Sequence, residues 1–350
     1  MGRMAECKGV WILVVFFMLM QSGCFLPYVT KMGYYQAKLL WGRESIEKVL
    51  KSNKDLTPNQ REKLELILAV RKFTQEKLHF TPRENYTTVN LSWNHPLWNV
   101  SASEALHFKF YQWWFPIVGY IPQKGFFSKE EAIAQRDVLK KQGYDVLLRP
   151  VAGYSSIGYF NDPVWPEMLD WPTEVLVELM IHELAHATLY FKNQPSFDES
   201  FANAVAHIGT LQFLKDRYGE ESVPYKNAKS RLADEERYGS FMKQLYADLD
   251  KLYRSEKPVA EKFLLKKDRI DLAKEHFTKI PFESESFQKA KLKDLNNASL
   301  MVFELYNSNQ KCFQRLFEQV YQDWRVFLDK LRTLEKESDP LNALCLKLQN

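Results

Sequence analysis

The chain has few of the residues that break or cross-link a polypeptide: its 350 residues include 13 glycines, 15 prolines and 4 cysteines. With 45% hydrophobic residues, it can bury a real core as one large domain or two smaller ones, and disorder is not expected. Neither sign of charge dominates, because 48 basic and 44 acidic residues leave a net charge of +4. We find no nucleic-acid-binding motif, and this near balance gives no reason to expect a nucleic-acid partner.

Long apolar runs are also scarce. The N-terminal run "GVWILVVFFMLM", from Gly9 to Met20, is shorter than the about 20 residues that a membrane-spanning helix needs. Basic residues precede it and "QSGC", ending at Cys24, follows, which predicts a signal peptide over residues 1–23. A Cys after small residues resembles the lipobox of bacterial lipoproteins, although Gln21 stands where that pattern prefers Leu. An uncleaved short anchor and a plain secretory signal are the alternatives.

The scarcity of cysteine has consequences for export. If Cys7 is removed with the signal peptide and Cys24 carries a lipid, only Cys312 and Cys345 remain as free thiols. These two could form a disulfide in an oxidising compartment, or they could pack as thiols on helix faces. We expect an exported protein of the cell envelope that is attached to a membrane through the lipid on Cys24.

The pattern of apolar residues indicates an α+β fold that is mostly helical, with a small central β-sheet. Helical spacing dominates before about residue 78 and after Pro172, whereas aromatic and β-branched segments broken by Pro and Gly lie between them. A helix over residues 128–143 is inserted among the strands, and the Lys/Glu runs between residues 226 and 275 are interpreted as solvated helix faces. After the signal peptide we predict three regions: an N-terminal helical segment (24–78), a catalytic core (79–220) and a C-terminal helical region (221–350).

The segment "MIHELAHATLY" concentrates chemistry on one helix. Residues four apart on a helix lie nearly one above the other, so the imidazoles of His182 and His186 can bind one metal ion. Glu183 lies beside them, where its carboxylate can act on a water without displacing it. This is the HExxH arrangement of zinc peptidases. The alternative is a pair of histidines that are merely hydrogen-bonded on a helix face.

Catalytic zinc usually has three protein ligands and one water, so a third ligand is expected. A turn after the first helix returns the chain into a second helix, whose first turn carries Glu199, our candidate for this position. Ser196 and Glu199 also fit a capping box, in which Glu199 would only accept a backbone hydrogen bond. Asp198 and His207 are rivals. Asp198 suits the start of a helix, and His207 lies about 12 Å from Glu199 at about 1.5 Å per residue.

The chain resembles a bacterial family of predicted aminopeptidases, zinc metallopeptidases that are often lipoproteins, whose pattern runs HELAH, LY and F-[ND]-E-S-F-A. Asp198 stands where the family usually has Asn. The likeness covers almost the whole chain, through these further segments: "YYQAKLLWGR", "WWFPIVGYIPQKGFF", "GYSSIGYFNDPV" and "LNNASL". The resemblance implies one zinc ion per chain with His182, His186 and Glu199 as ligands, Glu183 as catalytic base and a zincin-like arrangement of sheet and HExxH helix.

Three further assignments concern how a substrate would be held. The Tyr154 phenol could donate a hydrogen bond to a developing negative oxygen, although a tyrosine packed on the sheet is an equal interpretation. The segment 151–160 could pair with a peptide backbone as an edge strand. Glu178, one turn before His182, could orient that imidazole, or it could simply be exposed.

The expected function is hydrolysis of peptide bonds in a peptide or protein substrate, with an aminopeptidase as the specific expectation. A lipoprotein whose metal site serves a binding or scaffold role is the alternative from another class. Structural metal sites are closed by four protein ligands, whereas Glu183 occupies the position of a base here and no Cys lies nearby. A metal-dependent hydrolase acting on cell-wall or other amide bonds is a third possibility.

Overall fold

The computed structural model describes residues 25–52, 56–115, 119–151, 161–290, 292–307 and 310–348. Three predicted features therefore lie outside the described residues: the signal peptide with Cys24, the candidate oxyanion donor Tyr154, and the edge strand beyond Val151. Among the helices that are described, none is both long and apolar enough to cross a membrane.

The described chain begins with three helices, namely α1 (Phe25–Trp41), α2 (Ile46–Lys51) and α3 (Pro58–Glu76). Helix α3 begins with a capping box. The Thr57 hydroxyl accepts a hydrogen bond from the Gln60 backbone, and the Gln60 side chain accepts one from the Thr57 backbone, with Pro58 in the first turn. Leu64, Ile67 and other apolar side chains of α3 are buried in the main core.

The strands form three small antiparallel sheets instead of the single small sheet that the sequence suggests. They pair as follows: β1 (Glu44–Ser45) with β2 (Thr88–Val89), β3 (Leu97–Ser103) between β6 (Gln123–Phe126) and β7 (Asp145–Val151), and β4 (Trp113–Phe115) with β5 (Gly119–Ile121). The inserted helix α4 (Lys129–Lys141) lies between β6 and β7, and Ser128 caps it.

The three-stranded sheet has one apolar face and one polar face, because alternate residues of a strand point to opposite sides. Val100 and Ala102 of β3 pack with Leu139 of α4 in a small core of their own. The opposite face carries Asn99, whose register partner on β7 is Arg149. This polar face lies towards the helical half of the molecule.

The second half of the chain is helical, with these elements: a short 3₁₀ helix (Pro166–Asp170), α5 (Thr173–His186), α6 (Pro195–Tyr218), α7 (Val223–Tyr253), α8 (Val259–Phe277), α9 (Glu285–Gln288), α10 (Asn297–Asn307), α11 (Gln310–Gln319), α12 (Trp324–Arg332) and α13 (Pro340–Lys347). Helices α5 and α6 share the main core with α3 and with α11 to α13. A disulfide between Cys312 and Cys345, with Cα atoms 5.3 Å apart, joins α11 to α13. The predicted mostly helical α+β class is confirmed, while the division into regions stays a prediction.

Candidate metal centre

Helix α5 presents two faces with different roles. Its sequence contains neither Gly nor Pro after the first turn, and Leu176, Val177, Met180 and Leu184 are fully buried in the main core. The helical repeat then places His182 and His186 together on another side, where their ring centroids are 4.8 Å apart. The burial of the apolar face therefore determines the direction in which the two imidazoles point.

A short connection between α5 and α6 returns the chain beside α5. The Asp198 carboxylate accepts a hydrogen bond from the backbone N–H of Phe191 at 2.8 Å, and the Phe191 ring stacks on Phe197 with centroids 4.5 Å apart. Asn193, inside the connection, adopts a φ of 63°, which Asn tolerates better than most residues. These contacts set how α6 starts and so where Glu199 lies.

The ligand atoms of His182, His186 and Glu199 converge on one point. The two Nε2 atoms are 3.1 Å apart. Oε2 of Glu199 lies 3.4 Å from Nε2 of His182 and 3.6 Å from Nε2 of His186. Three groups that are four and thirteen residues apart in sequence thus form a nearly equilateral triangle of one oxygen and two nitrogens.

This triangle has the dimensions that a tetrahedral zinc ion requires. Bonds of about 2.0–2.1 Å at tetrahedral angles place neighbouring ligand atoms about 3.3–3.4 Å apart, and the three observed separations lie on both sides of that value. The side chains keep exposed fractions of 14% for His182, 10% for His186 and 22% for Glu199. Among the described residues no fourth His, Cys, Asp or Glu joins them. The donor set therefore fits a zinc ion with three protein ligands.

The electrostatics of the metal-free site show how strongly the groups interact. Burial by itself would lower the pKa of His186, but the Glu199 carboxylate outweighs it and raises that pKa to about 9. Burial would raise the pKa of Glu199, yet the charge of His186 and the contacts with both imidazoles hold it well below its usual range. The Glu199 carboxylate and the His186 imidazole thus stabilise each other's charged forms.

The sequence left open a capping role for Glu199 and a ligand role for Asp198, and the structure supports neither. Helix α6 starts after Gln194, without a side-chain cap, so the proposed Ser196–Glu199 capping box does not form. Asp198 is buried against the connection, and burial raises its pKa to about 7. It does not share the convergent point of His182, His186 and Glu199.

His207 belongs to a second cluster, with Glu178 of α5 and Glu235 of α7. Its Nε2 lies 3.0 Å from Oε2 of Glu235 and 3.9 Å from Oε1 of Glu178. Arg231 closes this cluster, because its guanidinium pairs with Glu178 and lies 2.8 Å from Oε1 of Glu235. Glu178 is therefore not simply exposed. Its ion pairs in the described residues are with His207 and Arg231, and not with His182.

The second cluster also corrects the interpretation of residues 226–275 as solvated faces. Arg231 is only 17% exposed and Glu235 only 24%, and Asp234 is fully buried, where it accepts hydrogen bonds from Ser284. The sequence of α7 looks like that of an ordinary charged helix. The spacing of Arg231 and Glu235 by four residues was the one feature of this sequence that indicated an ion pair. Burial of this face arises from helices that are distant in sequence.

Glu183, the predicted base, is 8% exposed on α5 and lies outside the triangle of ligand atoms. Tyr86 lies near it and was missed by sequence reasoning. Burial, followed by the negative charges of Glu183 and Asp162, raises the pKa of Tyr86 well above its usual value. Its backbone N–H donates to the Asp162 carbonyl at 2.8 Å, and its φ is 59°. A large residue in this left-handed conformation is uncommon and marks a strained loop beside the site.

Comparison with known proteins rests on a family model. No curated protein and no solved structure matched the chain. The model described as "Putative aminopeptidase" matches residues 27–343, nearly the full length. The chain, with its convergent histidine and glutamate side chains on two neighbouring helices, thus belongs to this aminopeptidase family.

Proposed function

We propose that the protein is a zinc-dependent aminopeptidase in which His182, His186 and Glu199 hold one zinc ion and Glu183 is the general base. The observation that carries this proposal is the convergence of three ligand atoms within 3.6 Å of one another. Membership of the family supports a peptide or protein as substrate. It also favours an enzyme over the alternative of a binding or scaffold lipoprotein.

The chain's own residues would divide the chemistry among them. A zinc ion held by the three ligands would supply a Lewis acid that polarises the scissile carbonyl and makes water easier to deprotonate. Glu183 accepts the proton of the attacking water and then delivers a proton to the leaving amine nitrogen, so its carboxylate is regenerated at the end of the cycle. Its low exposure limits competition from bulk water for that proton.

The position of Glu183 also keeps the base and the ligands apart. Because it follows His182 directly, its side chain is rotated by about 100° from that imidazole around the helix. A carboxylate at this position can approach a water beside the ligand triangle without joining the triangle itself. The substitution of Glu183 should therefore separate catalysis from metal binding.

We also propose that a lipid on Cys24 anchors the protein to a membrane of the cell envelope and places the site on the exported side. The support is the signal-like sequence that precedes Cys24. Labelled palmitate should be incorporated by the wild type, and Cys24→Ser should lose the label and leave the membrane fraction. A labelled Cys24→Ser protein would assign the lipid to another residue.

The decisive experiment is metal analysis of the purified full-length protein, followed by a peptide-library digest read by mass spectrometry, with a chelator as control. We expect about one zinc per chain, release of N-terminal residues, and loss of cleavage on chelation. Glu183→Gln should lose roughly 100-fold to 10,000-fold in rate while it retains zinc.

Glu174→Gln is the matched control, since Glu174 is a buried glutamate of the same helix that bonds to Asn227 at 3.1 Å. It should cleave like the wild type. Wild-type rates in Glu183→Gln would refute the assigned base, and zinc binding without any cleavage would favour the scaffold alternative.

A further inference from the structure

One cation near the candidate metal centre, Arg149, contacts neutral side chains in the described part of the chain. Arg149 of β7 is half-buried, and no carboxylate of the described residues forms an ion pair with it. Its guanidinium carbon lies 5.2 Å from the centroid of the Tyr306 ring, a cation–π contact. Its Nε is buried without a hydrogen-bond partner. The guanidinium also interacts with the Tyr306 hydroxyl, and its Nη2 lies 3.5 Å from Oε1 of Gln123.

Tyr306 connects this guanidinium to the ligand-bearing helix α6. Asn203, one helical turn after Glu199, donates a hydrogen bond from Nδ2 to the Tyr306 carbonyl at 2.6 Å. The Tyr306 hydroxyl is 3.4 Å from Nε2 of Gln123 on β6. Burial and the charge of Glu199 raise the pKa of Tyr306 to about 12, while Arg149 opposes them. The Tyr306 ring thus contacts the guanidinium, and its backbone carbonyl bonds to the helix that carries Glu199.

The polar face of the three-stranded sheet holds Arg149 in place from the other side. Asn99, the register partner of Arg149, donates from Nδ2 to Oε1 of Gln123 at 2.9 Å. This bond orients the Gln123 amide, whose oxygen faces Arg149 and whose nitrogen faces Tyr306. The surrounding groups are neutral amides and a phenol, so they position the cation without neutralising it.

The edge of the guanidinium that carries the unbonded Nε indicates what Arg149 binds. Nε and Nη2 lie on one side of the planar group and form the fork that matches the two oxygens of a carboxylate. Buried donors are rarely left without an acceptor in folded proteins. A ligand that supplies two acceptor oxygens and a negative charge would complete both the hydrogen bonding and the charge balance of this position.

We propose that Arg149, positioned by Tyr306 and Gln123, binds a carboxylate of the substrate, so that the enzyme prefers peptides with a carboxylate close to the scissile bond. The inference rests on the proposed function and specifies its substrate class. The carboxylate could be the C-terminus of a short peptide or an acidic side chain. Both sources present the same chemistry to Arg149, and the experiment separates them.

The test measures peptide binding by calorimetry to the zinc-loaded full-length protein carrying Glu183→Gln, which prevents hydrolysis. Three ligands are compared: trialanine, trialanine amide, and an amidated tripeptide with an aspartate side chain. We expect trialanine to bind at least about tenfold more tightly than its amide. Binding by the aspartyl amide as tight as trialanine identifies an acidic side chain as a sufficient source, whereas binding as weak as the neutral amide assigns the preference to the C-terminus.

In the same background, Arg149→Gln should weaken binding of trialanine at least about tenfold and leave that of the amide nearly unchanged. Arg217→Gln is the matched control, because Arg217 also lies over a tyrosine ring, 5.5 Å from the Tyr218 centroid, but at the exposed end of α6. It should change neither affinity. Equal affinities of the parent protein for all three ligands, or an acid preference that survives Arg149→Gln, would overturn the inference.

Folding and zinc content of each variant are checked by thermal unfolding and metal analysis. If Arg149→Gln does not fold, Arg149→Lys keeps the charge and loses the fork, and should still reduce the acid preference by about fivefold. An unchanged preference in that variant would equally refute the assignment. The proposed function and the inference fail on different results. The proposed function is wrong if the zinc-loaded wild type cleaves none of the three peptides. The inference is wrong if the enzyme cleaves all three peptides with equal kcat/KM.

Discussion

Two clusters of the same residue types lie along helices α5 and α6, and they differ in whether an arginine is among their members. Glu178 lies one turn before His182 on α5, and His207 lies two turns after Glu199 on α6, so the clusters are neighbours. Each brings three ligand-type groups within 4.8 Å of one another. The second cluster, however, also contains the guanidinium of Arg231. Residue type and convergence alone therefore do not define a metal site.

The difference lies in where each cluster obtains positive charge. In the second cluster Arg231 compensates two carboxylates, and a divalent ion would meet a fixed positive charge. In the first, Glu199 faces two imidazoles, and its carboxylate raises the pKa of His186 to about 9. A proton on an imidazole can be displaced by a metal ion, whereas an arginine cannot leave. We call the first cluster open and the second closed, because only the second contains an arginine.

The largest effect should come from removing one carboxylate from each cluster in turn. Glu199→Ala removes one of three ligands and should weaken zinc binding by at least about 100-fold. Glu235→Ala removes the corresponding carboxylate of the closed cluster and should leave zinc stoichiometry unchanged. Competition with a chromophoric chelator measures both. Equal loss of zinc in the two variants would contradict the assignment of the metal to the open cluster.

Removing Arg231 should leave the carboxylates of the closed cluster without a compensating positive charge. Arg231→Met leaves Glu178 and Glu235 partly buried without their partner, which should lower the free energy of unfolding by about 3 kcal/mol. Urea denaturation of the metal-free protein measures this loss. Zinc should then restore part of the stability and bind at more than the wild-type stoichiometry. If the variant is as stable as the wild type, Arg231 does not balance the cluster.

The open cluster should respond to pH in two opposite ways. Because the pKa of His186 is raised from 6.5 to about 9 in the folded protein, the stabilisation from its contact with Glu199 is fully present below about pH 6.5 and is lost as the pH rises through about 9. Zinc requires the neutral imidazole, so its affinity should increase by about tenfold per pH unit until about pH 9. Chelator competition and urea denaturation across this range measure the two trends. A flat affinity profile would contradict the proton-exchange account.

A smaller effect is expected at the connection that precedes the open cluster. Asp198→Ala removes the acceptor of the Phe191 N–H and should cost about 1–2 kcal/mol of stability. Asp198→Asn keeps an acceptor oxygen and should cost less. Zinc affinity should fall only modestly in either variant, because Asp198 acts through the start of α6. A loss of zinc as large as in Glu199→Ala would instead make Asp198 a ligand.

Local patterns predicted those parts of the molecule that depend on neighbours in sequence. The helix that starts at Ser128 and the pairing of His182 with His186 on one side of α5 both depend on residues within four positions of each other. Helical geometry alone determines such relations. The burial of Asp234 and Arg231 could not be predicted in this way, because it depends on residues more than forty positions distant.

By itself, the sequence determined the helix with its two imidazoles and adjacent carboxylate, since the helical repeat places side chains four residues apart together whatever the rest of the chain does. The packing of distant elements determines that Glu199, rather than Asp198 or His207, lies against those imidazoles and that an arginine from α7 closes the neighbouring cluster. It also leaves Arg149 without an ion pair to any carboxylate in the described ranges. These outcomes depend on how separate helices and strands pack, and the many weak, long-range contacts that determine packing leave no local signature.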